Sequence, residues 1–171
     1  MSKLRANLRA VTAAAVLTLG AMAAPQAVAV GQPAVSVSQR ADAATRALVR
    51  AAPQAAVAAA TVCGSGYTLF RAVALPQDVD PSLRLATLYS YENAGKGCAI
   101  LDNNVGKSQY MYLHVCKVDG TGCDTDSGSF SEYAGPVNVA SSVCAPVTAK
   151  MGQSSSSLYI NFTSEYMFSC D

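Results

Sequence analysis

Through the C-terminal part of the chain, apolar positions recur with a period of two. Leu83, Leu85, Thr87, Tyr89 and Tyr91 alternate with Arg84, Ala86, Leu88, Ser90 and Glu92, the mark of a strand with one buried face. Met111, Leu113 and Val115 repeat the pattern, Leu158, Ile160 and Phe162 give a third run, and Val137 with Val139 suggests a fourth. Clusters of turn-forming residues stand between them at 76–81, 93–97, 103–106, 119–122 and 152–157. Short strands at this spacing predict an all-β fold, a small β-sandwich or barrel.

Before residue 61 the pattern is different. Lys3, Arg5 and Arg9 precede an uncharged, largely apolar stretch over 10–24, followed by small residues at Ala21 and Ala23 and again at Ala27 and Ala29. This order predicts a cleavable signal peptide over 1–29, cut after Ala23 or, as favoured here, after Ala29. The apolar stretch, about 15 residues, is shorter than the roughly 20 that cross a bilayer as a helix. No membrane association is therefore expected after cleavage. Residues 30–60 are dominated by Ala with Val, Gln, Pro and Ser, carry Arg40, Arg46 and Arg50 against Asp42, and contain no aromatic residue. Residues 41–52 suit a short helix ahead of Pro53, and 55–60 could continue it. Isolated helices of that length are marginal in water. The region reads as an Ala- and Pro-rich linker or pro-segment, at most a helix lying on the domain.

The folded unit is expected over 61–171, long enough for one core. It carries six Lys or Arg against ten Asp or Glu. An acidic domain argues against a nucleic-acid partner.

All six cysteines, Cys63, Cys98, Cys116, Cys123, Cys144 and Cys170, follow the signal. An even count in a small exported chain predicts three disulfides. A thiolate metal site would want closely spaced pairs and histidines, whereas His114 is the single histidine. One pairing has a geometric argument: a two-residue Asp119-Gly120 turn would set Val118 opposite Thr121 and Cys116 opposite Cys123. Hydrogen-bonded partners of that kind have Cα atoms about 5.5 Å apart, within disulfide range. A four-residue loop over 119–122 would instead move Cys116 away from Cys123. Proximity alone suggests Cys63 with Cys98 and Cys144 with Cys170.

Candidate chemistry is sparse. His114 shares a strand face with Tyr110, Tyr112 and Cys116, a possible ligand face, but no G-x-S-x-G elbow ties a serine to it. Catalysis, and with it any cofactor, is not expected. Asp119, Asp124, Asp126 and Glu132 crowd a Gly- and Ser-rich stretch, yet their spacing fails the EF-hand pattern, so a solvated acidic loop is expected. The eight tyrosines could stack on sugar rings, although strand propensity explains them as well.

Cys63-Gly64-Ser65-Gly66-Tyr67 and the run Gly128-Ser129-Phe130-Ser131-Glu132-Tyr133-Ala134-Gly135-Pro136-Val137 ahead of Cys144 resemble the spore-associated protein family of streptomycetes, small secreted cysteine-containing proteins. The Tyr-Ala-Gly-Pro-Val portion is the more specific motif. The resemblance implies an exported actinomycete protein of aerial growth or the spore surface, with no established enzymatic role. The chain departs from the family in its additional Cys116 and Cys123, in residues 30–60, and in the Ala-Pro-Val-Thr that follows Cys144. The expected function is that of a non-enzymatic structural or surface protein, secreted or held at the spore or cell surface. A cell-wall or polysaccharide binding module is the first alternative. A serine protease inhibitor using 76–81 or 144–152 as its exposed loop is the second.

Overall fold

A computed structural model describes residues 34–171 of the protein. The expected signal peptide over 1–29, and the start of the 30–60 segment, lie outside the described residues.

Eight antiparallel strands form two four-stranded sheets. The first, in the order β1-β2-β3-β6, comprises β1 (Thr68–Leu75), β2 (Ala86–Asn93), β3 (Lys96–Asn103) and β6 (Tyr133–Val139). The second, in the order β5-β4-β7-β8, comprises β5 (Asp124–Phe130), β4 (Gln109–Val115), β7 (Val147–Ser154) and β8 (Ser157–Ser164). This is the expected all-β, disulfide-bonded sandwich. Leu88, Leu101, Val137 and Val139 of the first sheet meet Met111, Leu113, Val147, Met151 and Ile160 of the second, and Phe168 of the C-terminal tail joins them. Ser169 N–H anchors that tail by donating to Glu92 Oε1 at 2.6 Å.

Two helices cover the outer face of the first sheet. Helix α1 (Ala43–Ala51) starts at Asp42, whose carboxylate accepts from Thr45 N–H at 2.7 Å, a side-chain cap that satisfies an otherwise orphan donor. Helix α2 (Pro53–Cys63) follows at once, with Pro53 in its first turn where no amide hydrogen is needed. Ala56 and Ala59 pack on Leu69, Tyr89, Tyr91 and Ile100. Tyr91 O–H donates to Ala56 O at 2.7 Å, and Ala72 N–H donates to Thr45 Oγ1 at 3.0 Å. The described part of 30–60 is thus a helical layer with its own buried contacts, where composition suggested a linker or at most an overlying helix.

That layer corrects the reading of β2. One face was expected to be buried, but Ala86, Leu88 and Ser90 face the second sheet while Tyr89 and Tyr91 lie under the helices, and all are buried. Leu83 and Leu85 fall outside the strand: Pro81–Leu83 is a 3₁₀ turn, and Leu83 is 68% exposed. The β2–β3 connection is the expected tight turn, with Asn93 opposite Lys96 and both Ala94 (φ 48°) and Gly95 (φ 80°) left-handed, as a type I′ hairpin requires.

Disulfides join Cys63 to Cys98, Cys116 to Cys123 and Cys144 to Cys170. The hairpin carrying the second pair turns one residue earlier than expected. Gly120 N–H donates to Lys117 O at 2.8 Å and Lys117 N–H to Thr121 O at 3.0 Å, so Val118 and Asp119 occupy the turn. Gly120 follows them at φ 76°, the left-handed residue that closes a three-residue hairpin loop. Gly122 is then the extra residue of the returning strand. It lets Cys123 come back opposite Cys116, with Cα atoms 4.0 Å apart, closer than the hydrogen-bonded pair expected.

The stretch 124–130, expected to be a solvated acidic loop, is the edge strand β5. Alternate residues of this strand are exposed. Its carboxylates close the sandwich: Asp124 Oδ2 accepts from Asn138 N–H at 2.8 Å and Asp126 Oδ2 from Gly135 N–H at 2.7 Å. Each satisfies an amide on β6, the edge strand of the other sheet, that has no ladder partner on that side.

Candidate functional site

The outer face of the second sheet holds the face expected from the alternation in β4. Tyr110, Tyr112 and His114 point outward, half-buried, because Met111, Leu113 and Val115 between them are fully buried. Strand register supplies their neighbours. His114 lies between Thr125 of β5 and Thr148 of β7, Tyr112 between Ser127 and Lys150, and Tyr110 between Ser129 and Gly152. Thr148 and Lys150 in turn face Thr163 and Asn161 of β8. The result is a ladder of hydroxyls and amides around two tyrosines, one imidazole and one ammonium.

Lys150 Nζ stands 5.2 Å from the centre of the Tyr112 ring, and the Tyr112 and His114 rings are 6.0 Å apart at 29°. The ammonium lies over the negative face of the phenol ring, an attraction of about 0.5–1 kcal/mol at an exposed site. His114 Nδ1 is 2.6 Å from Thr125 Oγ1, and Nε2 is 3.0 Å from Cys116 Sγ. Both contacts are hydrogen bonds in the tautomer that carries its proton on Nε2: Nε2–H then donates toward the disulfide sulfur, and Nδ1 accepts from the threonine hydroxyl. Outside this face, Tyr159 O–H donates to Oε1 of the buried Gln109 at 2.5 Å, and partial burial raises the phenol pKa.

The sequence reading missed Lys150, Thr125, Thr148 and Thr163. A signal for two of them was present, since Val147, Ala149 and Met151 alternate with Thr148 and Lys150. Asp119, Asp124, Asp126 and Glu132, expected to form a solvated acidic loop, do not converge on one point. Asp119 instead closes its own turn by accepting from Thr121 N–H and Oγ1–H at 2.9 and 2.7 Å, bonds that hold its carboxyl below the usual range. The metal-ligating types that come together among the described residues are His114, Cys116 and Cys123, their ligand atoms within 4.8 Å of one another. Both sulfurs are committed to the disulfide, which leaves no thiolate to bind a metal.

Of the two loops considered for protease inhibition, 144–152 does not fit. It runs into β7, where Val147, Ala149 and Met151 are fully buried. The 76–81 segment remains a surface connection ahead of the 3₁₀ turn. A separate cavity of about 540 Å³ opens between α1 and β1, lined by Leu48, Val73, Pro81, Arg71 and Arg84 among others. Its guanidiniums are engaged by the protein: Arg71 is 4.0 Å from the Asp42 carboxylate, and Arg84 donates to Thr87 Oγ1 and Pro81 O.

Fold and surface together define a disulfide-bonded antiparallel β-sandwich with a helical layer on one side and a polar, tyrosine-bearing sheet face on the other. The chain is similar to Spore-associated protein A of Streptomyces coelicolor, with 33% identity over 81 residues, 46% of this chain and 48% of that protein. It therefore spans about half the length of the curated relative it matches. The likeness supports the relationship to spore-associated proteins suggested by the Tyr133-Ala134-Gly135-Pro136-Val137 run. No protein-family model and no solved structure matches the chain.

Proposed function

We propose that this protein is a non-enzymatic surface protein of the cell exterior, of the spore-associated kind, which works by adhering through the outer face of its second sheet. The observation that carries this reading is the ladder centred on Tyr112, His114 and Lys150. It is a sheet face built on fully buried Met111, Leu113 and Val115, so its side chains are held in register by the core beneath them. Three disulfides suit an oxidising exterior, and the spore-associated relative points to the same location.

The specific partner favoured is an insoluble glycan of the wall or spore. Tyrosine rings beside an ammonium and a field of threonine, serine and asparagine offer stacking surface and hydrogen bonds without a deep pocket. The test is co-sedimentation of the oxidised protein with spore material, cell walls and purified insoluble polysaccharides, alongside a Tyr112→Ala, Lys150→Ala double variant. Saturable binding reduced about tenfold or more in the variant, equivalent to roughly 1.4 kcal/mol, supports the reading. Equal binding by wild type and variant, or binding to none of these materials, overturns it.

A further inference from the structure

We propose that the Cys116–Cys123 disulfide is a thiol-exchange site: an incoming thiolate attacks Cys123 Sγ, and Cys116 departs as a thiolate held by the Nε2–H of His114. This goes beyond adhesion, because it gives the protein a reversible covalent link to thiol-bearing partners.

The two sulfurs are inequivalent. Cys123 is exposed at the hairpin, whereas Cys116 is 8% exposed, so a nucleophile reaches the pair from the Cys123 side. On the other side His114 Nε2 lies 3.0 Å from Cys116 Sγ. That donor is oriented before any reaction, since Thr125 Oγ1 grips Nδ1 at 2.6 Å and the ring lies against Tyr112. A thiolate is stabilised by an adjacent imidazole N–H, and exchange is faster when the departing sulfur is the better-stabilised anion. His114 is the single histidine of the chain, so neither other disulfide has such a donor. Cys98 is moreover fully buried.

The hairpin carries one cation, Lys117, against two carboxylates, Asp119 and Asp124, so charge there does not by itself favour an anionic nucleophile. The Lys117 side chain runs alongside Gly122, with Cε 2.8 Å from where a β-carbon would stand. The nearby carboxylates are occupied by backbone amides, Asp119 at Thr121 and Asp124 at Thr125 and Asn138.

Exchange leaves the local frame intact. Val115 still pairs with Asp124 beneath the disulfide, and the turn keeps its Gly120-to-Lys117 and Lys117-to-Thr121 hydrogen bonds. In the forward step the Cys116–Cys123 S–S bond breaks, a bond between the partner sulfur and Cys123 Sγ forms, and the electron pair goes to Cys116. One disulfide replaces another and no external oxidant is needed. The Cys116 thiolate stays beside Cys123, so the reverse attack expels the partner and restores the starting state.

The test treats the full oxidised protein with free cysteine at neutral pH, with alkylation at timed intervals and mass spectrometry of unreduced peptides. Cysteinylation is expected first at Cys123, with alkylation at Cys116, about tenfold or more ahead of adducts at Cys144 or Cys170. His114→Ala, a surface change, is expected to slow the Cys123 reaction by about tenfold, leaving the Cys144–Cys170 rate and the circular dichroism spectrum unchanged. A parallel arm with a cysteine-bearing peptide separates protein thiols from small thiols as partners, and an adduct at Cys123 in either arm supports the site. An adduct appearing first at Cys170 or Cys116, or an unchanged Cys123 rate in His114→Ala, overturns the proposal.

Discussion

Removing the Cys63–Cys98 bridge measures how firmly the helical layer belongs to the sandwich. The two cysteines are 35 positions apart, and closing a loop of that length removes about 3.8 kcal/mol of unfolded-chain entropy. Cys116 and Cys123 are 7 positions apart, for which the same relation gives about 2.5 kcal/mol. Position adds to the difference. Cys98 is fully buried in β3, and Cys63 is the last residue of α2, so the longer bridge ties one layer to another while the shorter one closes a hairpin already paired along its strands. Without it the layer is held by Tyr91 O–H on Ala56 O, by Thr45 on Ala72, and by the packing of Ala56, Ala59, Leu48, Val49 and Val62 against the sheet. The two alanines contribute only about 0.8 kcal/mol per methyl-sized group, so the covalent link at the end of α2 is a sizeable addition to the packing of Leu48, Val49 and Val62.

The variants to compare are Cys63→Ala, Cys98→Ala and Cys116→Ala, Cys123→Ala, with alanine chosen because serine at 98 would bury a hydroxyl. A unit of roughly 140 residues unfolds with an entropy near 0.3 kcal/mol/K at its midpoint. The first double variant should therefore melt about 6–13 °C lower, and the second about 4–9 °C lower, the smaller figures allowing for half the ideal entropy. Calorimetry gives the midpoints, and hydrogen exchange over 43–63 reads the layer itself. In the first variant those amides should exchange faster than those of β2 and β3, as a locally opening unit does. A smaller loss for the Cys63–Cys98 variant than for the Cys116–Cys123 variant would refute the reasoning. So would amides over 43–63 that stay as protected as the strands.

Burial, then the nearby Asp102 carboxylate, push the Tyr89 phenol up to about 12, against opposing effects of Arg84 and Thr87. The unfolded value is about 10, so stability is fully present below about pH 10 and is lost as pH rises toward 12, by about 2–3 kcal/mol from this group. Urea unfolding across that range should show the decline, and Tyr89→Phe should make it shallower; an unchanged slope counts against the assignment. At the open edge of the sandwich, Asp126→Ala removes the acceptor of Gly135 N–H and should cost about 1–3 kcal/mol in urea unfolding. Asp126→Asn keeps an acceptor oxygen and should restore most of that, whereas a loss under about 0.3 kcal/mol in the alanine variant would mean water serves equally well.

Alternation identified those strands whose apolar sets are regular, and it failed where a strand is buried on both faces or on neither. In β2 both residue sets are buried, so period two was present while the face assignment was incomplete: Tyr89 and Tyr91 pack under a helical layer that composition reads as a linker or at most an overlying helix. Helices were expected over 41–52 and 55–60, but their docking was not legible because α2 meets the sheet largely through alanine, which gives it little amphipathic signal, although Leu48 and Val49 of α1 join the same cluster. The buried run of β3, Gly97 through Leu101, has no alternation to detect. Strand β5 has the opposite problem, since Asp124, Asp126 and the serines that follow them look like a solvated loop until β6 presents its unpaired amides to the carboxylates.

The candidate face divides along the same line between local and non-local information. Tyr110, Tyr112 and His114 were legible because residues two apart on one strand share a face whatever the rest of the fold does. Their neighbours were not, because Lys150 reaches Tyr112 only through the β4–β7 pairing, between strands separated by a crossing into the other sheet and back. The hairpin disulfide sits between these cases. Cys116 and Cys123 meet for a local reason, even though the turn falls one residue from its expected place, since Gly122 absorbs the extra residue. The contact of His114 with Cys116 follows from their places two apart on the extended chain, on the side from which β5 supplies Thr125. The chemistry inferred at this hairpin therefore depends on short-range geometry and one cross-strand hydroxyl. It does not depend on the topology that hides the remainder of the face.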